Sequence, residues 1–246
     1  MNFRENFLRT IRFENPEYIP MRFHINASCW HHYDQETLQD LMEEHPFLFP
    51  DFERRERVVP EYALHSRRDE PYTDPWGCVW ETSDDGITGI VHYHPLADWD
   101  SFPGYKKPDP VVSNGQTPLN WDDVKADVLE KKRKGELVNG GIPHGHTFLR
   151  LQDIRGYENL IFDMTDNEPR LDKLIDMIAE FNYEQIIRWL ELEPDVMRYP
   201  EDLGMQVGPM ISPEHFRRYI KPVYEQIMKP ARDVGCIVHM HSDGDI

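Results

Sequence analysis

The sequence predicts an α/β fold in which helices surround a sheet of parallel strands. Its second half alternates amphipathic segments of helical length with short apolar runs, and this order requires parallel strands joined by right-handed crossovers. Several predicted strands also carry polar residues on one face, which is unusual where helices cover both faces of a parallel sheet. We therefore expect these polar faces to point into a closed or nearly closed barrel, to which about five strands contribute.

Composition and charge are those of a folded, enzyme-sized protein. The chain has 246 residues, of which 39% are hydrophobic and 12% aromatic, enough for a substantial core. Its formal net charge of −18 repels polyanions. We therefore expect a small-molecule substrate, and neither nucleic acid nor a membrane surface as a partner.

Cysteine usage and the lengths of the apolar runs bear on the cellular location. Cys29, Cys78 and Cys236 are widely spaced and form no Cys-x-x-Cys pair, which favours a reducing compartment. The first residues lack the apolar region of a signal peptide, and no apolar run approaches the length of a membrane span. These features predict a cytoplasmic protein.

The N-terminal part is predicted to form a helix, a strand and a second helix. Residues 3–14 have helical periodicity with Asn2 as N-cap, and residues 35–44 have the same periodicity. Between them, residues 18–26 alternate in polarity and read as a strand, because apolar side chains occupy every second position.

Polar residues of this N-terminal part form a first group of candidate ligands. Arg22, His24 and Asn26 share the polar face of the predicted strand. Asp51 ends a short apolar run at 47–51 and is either a helix cap or a site residue. For Arg22 a salt bridge to Asp51 or Asp202 is the structural alternative to substrate binding.

The middle of the chain interrupts the alternation. Residues 72–93 contain two aromatic, β-branched runs around an Asp-Asp-Gly turn at 84–86, which predicts a β-hairpin inserted into a single domain, 1–246. The proline-rich segment 94–119 that follows has no helical period and reads as loop.

The C-terminal half carries the regular elements. Ser212 and Pro213 form a typical N-terminus for the last helix, and Pro222 should kink it. Helices are predicted at 121–134, 146–165, 168–192 and 213–234, and strands at 137–143, 195–203 and 237–243.

Polar side chains collect at the carboxyl ends of these last strands. Each is singly explained as a loop or turn residue, but their recurrence at successive strand ends predicts a ligand site, because α/β proteins bind ligands there. The chain has no phosphate-binding glycine loop, nucleophile elbow or His-Glu-x-x-His motif. The strand-end residues are His144, His146, Glu201, Asp202, His239, His241 and Asp243.

Three stretches together resemble the uroporphyrinogen decarboxylase (URO-D) superfamily, which includes corrinoid-dependent methyltransferases. They are residues 6–16, the Asp74-Pro-Trp-Gly stretch of 74–80, and 201–244, which contains Glu201-Asp-Leu-Gly and ends in His241-Ser-Asp-Gly. The resemblance implies a TIM-type (β/α)8 barrel with its site at the strand carboxyl ends. The superfamily continues through about three more βα units, so we expect a barrel truncated after about five strands in a C-terminally incomplete chain.

Residue by residue, the resemblance favours the methyltransferase branch over the decarboxylases. Arg22 matches the first arginine of an Arg-x-x-x-Arg element that holds substrate propionates in the decarboxylases, but Asn26 replaces the second. Asp51 could correspond to their central aspartate, whereas their tyrosine falls at Leu149.

The thiol-methylating branch of the superfamily binds zinc at the strand that corresponds to 237–243. Its ligands there are a His-x-Cys pair, followed by a later cysteine. His241 matches the histidine, and Asp243 replaces the cysteine. The resemblance thus implies His241 and Asp243 as metal ligands. Asp202, at the end of the neighbouring strand, could supply a third oxygen. The alternative is that no metal binds, and a neutral His241 forms a hydrogen bond with Asp243 or directly with the substrate.

The resulting functional hypothesis is methyl transfer between a corrinoid and a small substrate. The corrinoid would arrive on a separate protein, since no Asp-x-His-x-x-Gly pattern is present. The alternatives are a tetrapyrrole decarboxylase and an inactive fragment or binding subunit. His241, Asp243 and Asp202 are the catalytic candidates. The substrate-binding candidates are Arg22, His24, Asn26, Asp51, His144, Glu201 and His239.

Overall fold

The computed structural model describes all residues, 1–246, which divide into two compact units. The first contains Met1–Tyr72 and Trp80–His92, and the second contains Thr73–Val79 and Tyr93–Ile246. The second unit holds a parallel sheet with helices packed against it, which confirms the predicted α/β class. No helix is both long enough and apolar enough to cross a bilayer.

The secondary structure consists of nine α-helices and eight strands, with two 3₁₀ turns and one π-helical turn. The helices are α1 Phe3–Arg12, α2 Cys29–His32, α3 Gln35–Glu44, α4 Trp121–Lys134, α5 Phe148–Arg155, α6 Tyr157–Asp166, α7 Pro169–Leu190, α8 Pro213–His215 and α9 Lys221–Asp233. The strands are β1 Tyr72–Thr73, β2 Val79–Glu81, β3 Ile90–Tyr93, β4 Asn139–Gly141, β5 Val196–Pro200, β6 Gly204–Met205, β7 Gly208–Pro209 and β8 Ile237–His241. The 3₁₀ turns are Leu64–Ser66 and Trp99–Gly104, and the π turn is Phe216–Ile220.

The parallel sheet of the second unit has the order β4, β5, β8, with β5 in the centre. Helix α7 packs on β4 and on α9, and α9 packs on β8. Apolar side chains from the sheet and these helices form the core, with Tyr199 fully buried and its hydroxyl donating to the carbonyl of Ile227 at 3.2 Å. The parallel order brings the carboxyl ends of all three strands to one edge.

The predicted barrel is not closed. The parallel sheet contains three strands where about five were expected, and β6 and β7 form a separate antiparallel pair. Strands β1, β2 and β3 form another small sheet in that order, so the two runs around the Asp-Asp-Gly turn are neighbours, as the hairpin prediction required.

The strand predicted at 18–26 is wrong, because this segment has no strand partner. The side-chain amide of Asn6 binds the backbone instead: its Nδ2 donates to the Tyr18 carbonyl at 2.7 Å, and its Oδ1 accepts from Glu17 N at 2.8 Å. Asn6 is itself fully buried in α1. This side chain therefore binds the start of the segment, and further along Phe23 N donates to the Leu48 carbonyl at 3.0 Å, so the backbone bonds are made without a strand ladder.

Helix boundaries follow the predicted caps closely. Helices α3 and α4 have the predicted bounds, and the Asn2 side chain caps α1 by accepting from Glu5 N at 2.8 Å. The helix predicted over 146–165 is wrong in one respect: it is broken into α5 and α6 at Gly156, whose φ of 80° lies outside the helical region.

The predicted irregularity before Pro222 takes the form of a π turn. Pro222 lacks a backbone N–H and crowds the preceding turn, so a regular helix is costly there. The π turn at Phe216–Ile220 widens the helix just before it, and the Lys221 N–H reaches the Phe216 carbonyl five residues earlier. The predicted helix 213–234 is therefore three consecutive segments, and Ser212 caps the first, with its Oγ accepting from His215 N at 3.1 Å.

Candidate functional site

The carboxyl ends of the three parallel strands bring polar side chains to one edge of the second unit. His144 follows β4, Asp202 follows β5, and His241 is the last residue of β8. Because the strands are adjacent and parallel, these positions lie beside one another. The three residues therefore lie at the edge of the sheet where the sequence predicts a ligand site.

Two imidazoles and one carboxylate converge at this edge. His144 Nε2 lies 3.1 Å from Asp202 Oδ2, and His241 Nε2 lies 3.9 Å from Asp202 Oδ1. One ligand atom from each of the three residues lies within 4.8 Å of the others. The Asp202 side chain is 26% exposed and both histidines 46%, so the cluster is open to ligands. We call His144, Asp202 and His241 the strand-end triad.

Asp243 lies beside the triad rather than within it. Its Oδ1 is 3.2 Å from His241 Nε2, while its backbone N–H donates to Asp202 Oδ1 at 2.8 Å. The Asp243 side chain is 78% exposed. The residue therefore orients Asp202 through its backbone, and its exposed carboxylate contacts the same nitrogen of His241 that faces Asp202. Sequence reasoning named Asp243 as a metal ligand and placed His144 among the substrate contacts, whereas His144 is the residue that completes the cluster.

The loops after β5 and β8 are joined closely, which fixes Asp202 beside His241. A Cβ at Gly244, whose φ is 85°, would lie 2.3 Å from the backbone carbon of Gly204. A backbone bridge also links Met205 to Asp245. Only glycine permits this approach, so the glycines of Glu201-Asp-Leu-Gly and His241-Ser-Asp-Gly are needed for the site geometry.

His144 is held from both sides along the chain. The next residue, Gly145, donates its N–H to the Pro200 carbonyl at 3.0 Å, and its φ of 74° favours glycine. The His144 carbonyl accepts from Gln116 Nε2 at 3.0 Å, and the His146 carbonyl accepts from Asn182 Nδ2 at 2.8 Å. The backbone that carries His144 is therefore anchored to the end of β5.

Glu201 is fully buried and caps α5 from the neighbouring strand. Its Oε2 accepts from the N–H groups of Thr147 and Phe148, both at 2.9 Å, and its Oε1 accepts from Leu149 N at 3.2 Å. The Tyr224 hydroxyl donates to Oε2 at 3.2 Å. Burial raises the pKa of Glu201 to about 7, against the lowering effect of the backbone N–H groups. Protein groups therefore occupy the Glu201 carboxylate. It is not free to bind substrate, although the sequence made it a substrate-binding candidate.

The two remaining histidines of the strand ends differ in burial. His146 is buried, with its Nδ1 2.6 Å from the Thr147 hydroxyl, and burial lowers its pKa to about 3. His239 is exposed on β8, two residues before His241. Partial burial, then the charges of Arg198 and His241, lower the pKa of His239. Burial therefore favours the neutral form of both rings.

The other predicted site residues belong to the first unit. Arg22 Nη2 lies 3.1 Å from Asp51 Oδ2, and the Arg22 guanidinium lies 4.2 Å from the centre of the Phe3 ring. Arg22, His24 and Asp51 line a cavity of about 540 Å³. Asn26 lines a neighbouring cavity of about 450 Å³, and its Oδ1 accepts from Ser28 N at 2.9 Å just before α2. The structure thus brings Arg22 and Asp51 together within this unit.

Comparisons with known proteins concern the second unit most directly. Residues 150–246 match the family model for uroporphyrinogen decarboxylase (URO-D). Among solved structures, a methyltransferase from Methanosarcina mazei is similar, with a TM-score of 0.55 and 15% sequence identity, over 98% of this chain and 69% of that one. At that identity the likeness establishes the fold. No curated protein matches the sequence significantly.

Proposed function

We propose that the chain is a member of the URO-D superfamily, whose model its residues 150–246 match, and that it is an enzyme of methyl transfer between a corrinoid and a small substrate. The observation that carries the proposal is the strand-end triad, which gathers two imidazoles and a carboxylate at the edge where α/β enzymes bind substrates. The similarity to a protein named as a methyltransferase supports the reaction class. The corrinoid would be presented by a separate protein.

The triad has the donor set of a divalent metal site. His144, Asp202 and His241 together offer two nitrogens and one oxygen, which suits zinc and leaves a position for substrate. When bound, such an ion acts as a Lewis acid that favours the deprotonated form of a substrate thiol or hydroxyl. The chain's own contribution is to fix the donors, through the Asp243 N–H on Asp202 and the Gly145 N–H on the Pro200 carbonyl.

His241 and Asp243 also form a pair suited to proton transfer. His241 would take the proton that the methyl-accepting substrate loses. The 3.2 Å contact between His241 Nε2 and Asp243 Oδ1 would stabilise the protonated imidazole that results. This role needs no metal at His241. Metal binding and acid–base catalysis by His241 are therefore alternatives that the same residues support.

A barrel architecture accompanies this function. The three parallel strands β4, β5 and β8, with helices packed on them, are the kind of sector from which a TIM-type barrel is built. We propose that the chain contributes such a sector. The strand-end triad would then lie at the mouth of the barrel, where enzymes of this fold carry out their chemistry.

The proposed reaction is tested by mixing the protein with methylcobalamin and a small thiol and following the loss of the methylcobalamin absorption spectrum. We expect demethylation by the wild type. A rate at least about 100-fold lower is expected for His241→Ala, because acid–base or metal-held groups typically contribute that much. The exposed residue Arg217 provides the matched control variant, Arg217→Met, which should keep the full rate. No demethylation with several thiols and alcohols would contradict the proposal.

The metal site is tested by analysing protein purified without chelators. One divalent ion per chain is expected in the wild type. His144→Ala should lower zinc affinity by more than about 100-fold, because even groups that only orient ligands typically contribute roughly 10- to 100-fold. Asp243→Ala should lower it much less, since Asp243 lies outside the triad. If wild type and variants alike hold no ion, metal catalysis is excluded and His241 remains the acid–base candidate.

The alternative function is tetrapyrrole decarboxylation. It is supported by the name of the matching family and by the arginine–aspartate pair of the first unit, Arg22 and Asp51. Incubation with uroporphyrinogen separates the two functions, because coproporphyrinogen would appear only in the alternative. Absence of both products would favour a binding subunit without catalytic activity.

A further inference from the structure

The sheet face that leads up to the strand-end triad carries an unpaired arginine. In the central strand β5, Val196, Met197 and Tyr199 are buried, whereas Arg198 is exposed. A central strand buries most of its side chains, so an exposed position there marks an uncovered part of its face. Val196 shares the face of Arg198 and is buried, so this face is open only towards the carboxyl end of β5. Period two places Arg198 on the opposite face from Met197 and Tyr199.

The neighbours of Arg198 across the sheet leave space beside it. The register pairs Arg198 with Gly141 on β4 and with His239 on β8. A Cβ at Gly141 would lie 3.0 Å from the Cβ of Arg198 and 2.6 Å from its carbonyl oxygen. Any larger residue there would crowd Arg198, whereas glycine leaves one flank open. The other flank is the exposed imidazole of His239.

Arg198 has no carboxylate partner in a strongly acidic protein. The chain contains 45 acidic residues, and most of its arginines near the core are paired, such as Arg150 with Asp74 and Arg155 with Asp163. Arg198 forms neither an ion pair nor a side-chain hydrogen bond, and its charge acts on the neighbouring imidazole of His239. Its five N–H donors are therefore available to an added anion.

We propose that Arg198 and His239 form a subsite that binds the carboxylate of the substrate. Arginine holds a carboxylate through two parallel hydrogen bonds, and the neighbouring imidazole can donate a third. Position 198 lies two residues before 200, and 239 two before 241, which corresponds to a distance of about 7 Å along the strands. The substrate would thus carry its carboxylate about 7 Å from the atom that reacts at the triad, separated from it by several carbon–carbon bonds. This inference rests on the proposed function, since the triad defines where the reacting atom lies.

The subsite is tested by binding, without metal or corrinoid, so that its outcome is independent of the reaction. Propionate and butyrate are titrated into the full chain while the His239 ring protons are followed by NMR, with propionamide and butyramide as uncharged probes. We expect saturable shifts with the acids, a dissociation constant at least about 10-fold weaker for Arg198→Met, and no saturation with the amides. The dissociation constant of Arg198→Lys should lie between those of the wild type and Arg198→Met, because lysine keeps the charge but cannot form two parallel hydrogen bonds.

Two controls separate the subsite from a general effect on the protein. Arg217→Met removes another exposed positive charge, from the π turn of the same unit, and should bind propionate as the wild type does. Zinc binding by Arg198→Met should be unchanged, which shows that its strand ends remain folded. Equal affinity of wild type and Arg198→Met for propionate, or equal binding of acid and amide, would overturn the proposal. Failure of methyl transfer with an intact subsite would instead contradict the proposed reaction.

Discussion

Replacing Glu201 with Ala is expected to destabilise the protein by about 3–5 kcal/mol. The Glu201 carboxylate is fully buried and accepts hydrogen bonds from the N–H groups of Thr147, Phe148 and Leu149 and from the Tyr224 hydroxyl. Its removal leaves these donors without an acceptor, and α5 has no capping side chain of its own. Because a domain typically has only about 5–15 kcal/mol of stability, much of the population should unfold under mild conditions.

The measurement is urea-induced unfolding followed by circular dichroism, with Glu201→Gln and Asp202→Asn beside Glu201→Ala. Glu201→Gln should fall between wild type and Ala, because its amide offers one acceptor oxygen but points N–H groups at N–H donors. Asp202→Asn is the matched control from the next position. It keeps an oxygen for the Asp243 N–H and should change the unfolding free energy by less than about 1 kcal/mol. If Glu201→Ala lowers the unfolding free energy by less than about 1 kcal/mol, α5 is held by other contacts.

The fate of Glu201 and Asp202 illustrates how far strand-end reasoning reaches. Both were predicted as site residues, since both follow a strand in a parallel sheet. The finer signal was the period of two: position 201 continues the face of Met197 and Tyr199, which are buried against helices. Asp202 falls on the face of Arg198. Alternation could therefore have assigned Glu201 to the fold, and could have singled out Arg198 as the exposed residue of a central strand.

His144 shows what alternation cannot supply. It lies three residues beyond β4, in a loop whose course depends on the Gly145 N–H bond to the Pro200 carbonyl. No periodic pattern specifies that bond, so the approach of His144 to Asp202 could not be predicted. The strand prediction at 18–26 failed for a related reason, because the backbone of this segment bonds groups distant in sequence: the Asn6 side chain at Tyr18 and the Leu48 carbonyl at Phe23. Helices α3 and α4, by contrast, were predicted closely because caps and periodicity are local.

The second large effect is expected at Arg150, which lies in α5 and is almost fully buried. Its Nη1 donates to Asp74 Oδ2 at 2.6 Å and lies 3.7 Å from Asp153 Oδ2. Asp74 Oδ1 in turn accepts the N–H groups of Trp76 and Cys78, which shapes the Asp74-Pro-Trp-Gly turn. Arg150 is thus the cation that compensates two buried carboxylates.

Arg150→Met should cost about 3–5 kcal/mol at neutral pH, because it leaves Asp74 and Asp153 buried without their cation. Asp74→Asn combined with Arg150→Met should recover part of the loss, since it removes one uncompensated charge while an amide oxygen still accepts the turn N–H groups. A double variant as unstable as the simple sum of the two single variants would show that the ion pair itself contributes little.

The cost of Arg150→Met should also grow with pH. Burial raises the pKa of Asp153 to about 7, and the charge of Arg150 opposes this rise. Without Arg150 the folded-state pKa should rise further above the value in the unfolded chain, so ionisation of Asp153 at higher pH favours unfolding more strongly. Stability contributed by the protonated carboxyl is present at low pH and is lost as pH rises through the folded-state pKa. The unfolding free energies of wild type and Arg150→Met should therefore differ more at pH 8 than at pH 5, and the pH dependence should shrink when Asp153→Asn is added. A difference that is constant across this range would show that Asp153 does not respond to the charge at position 150.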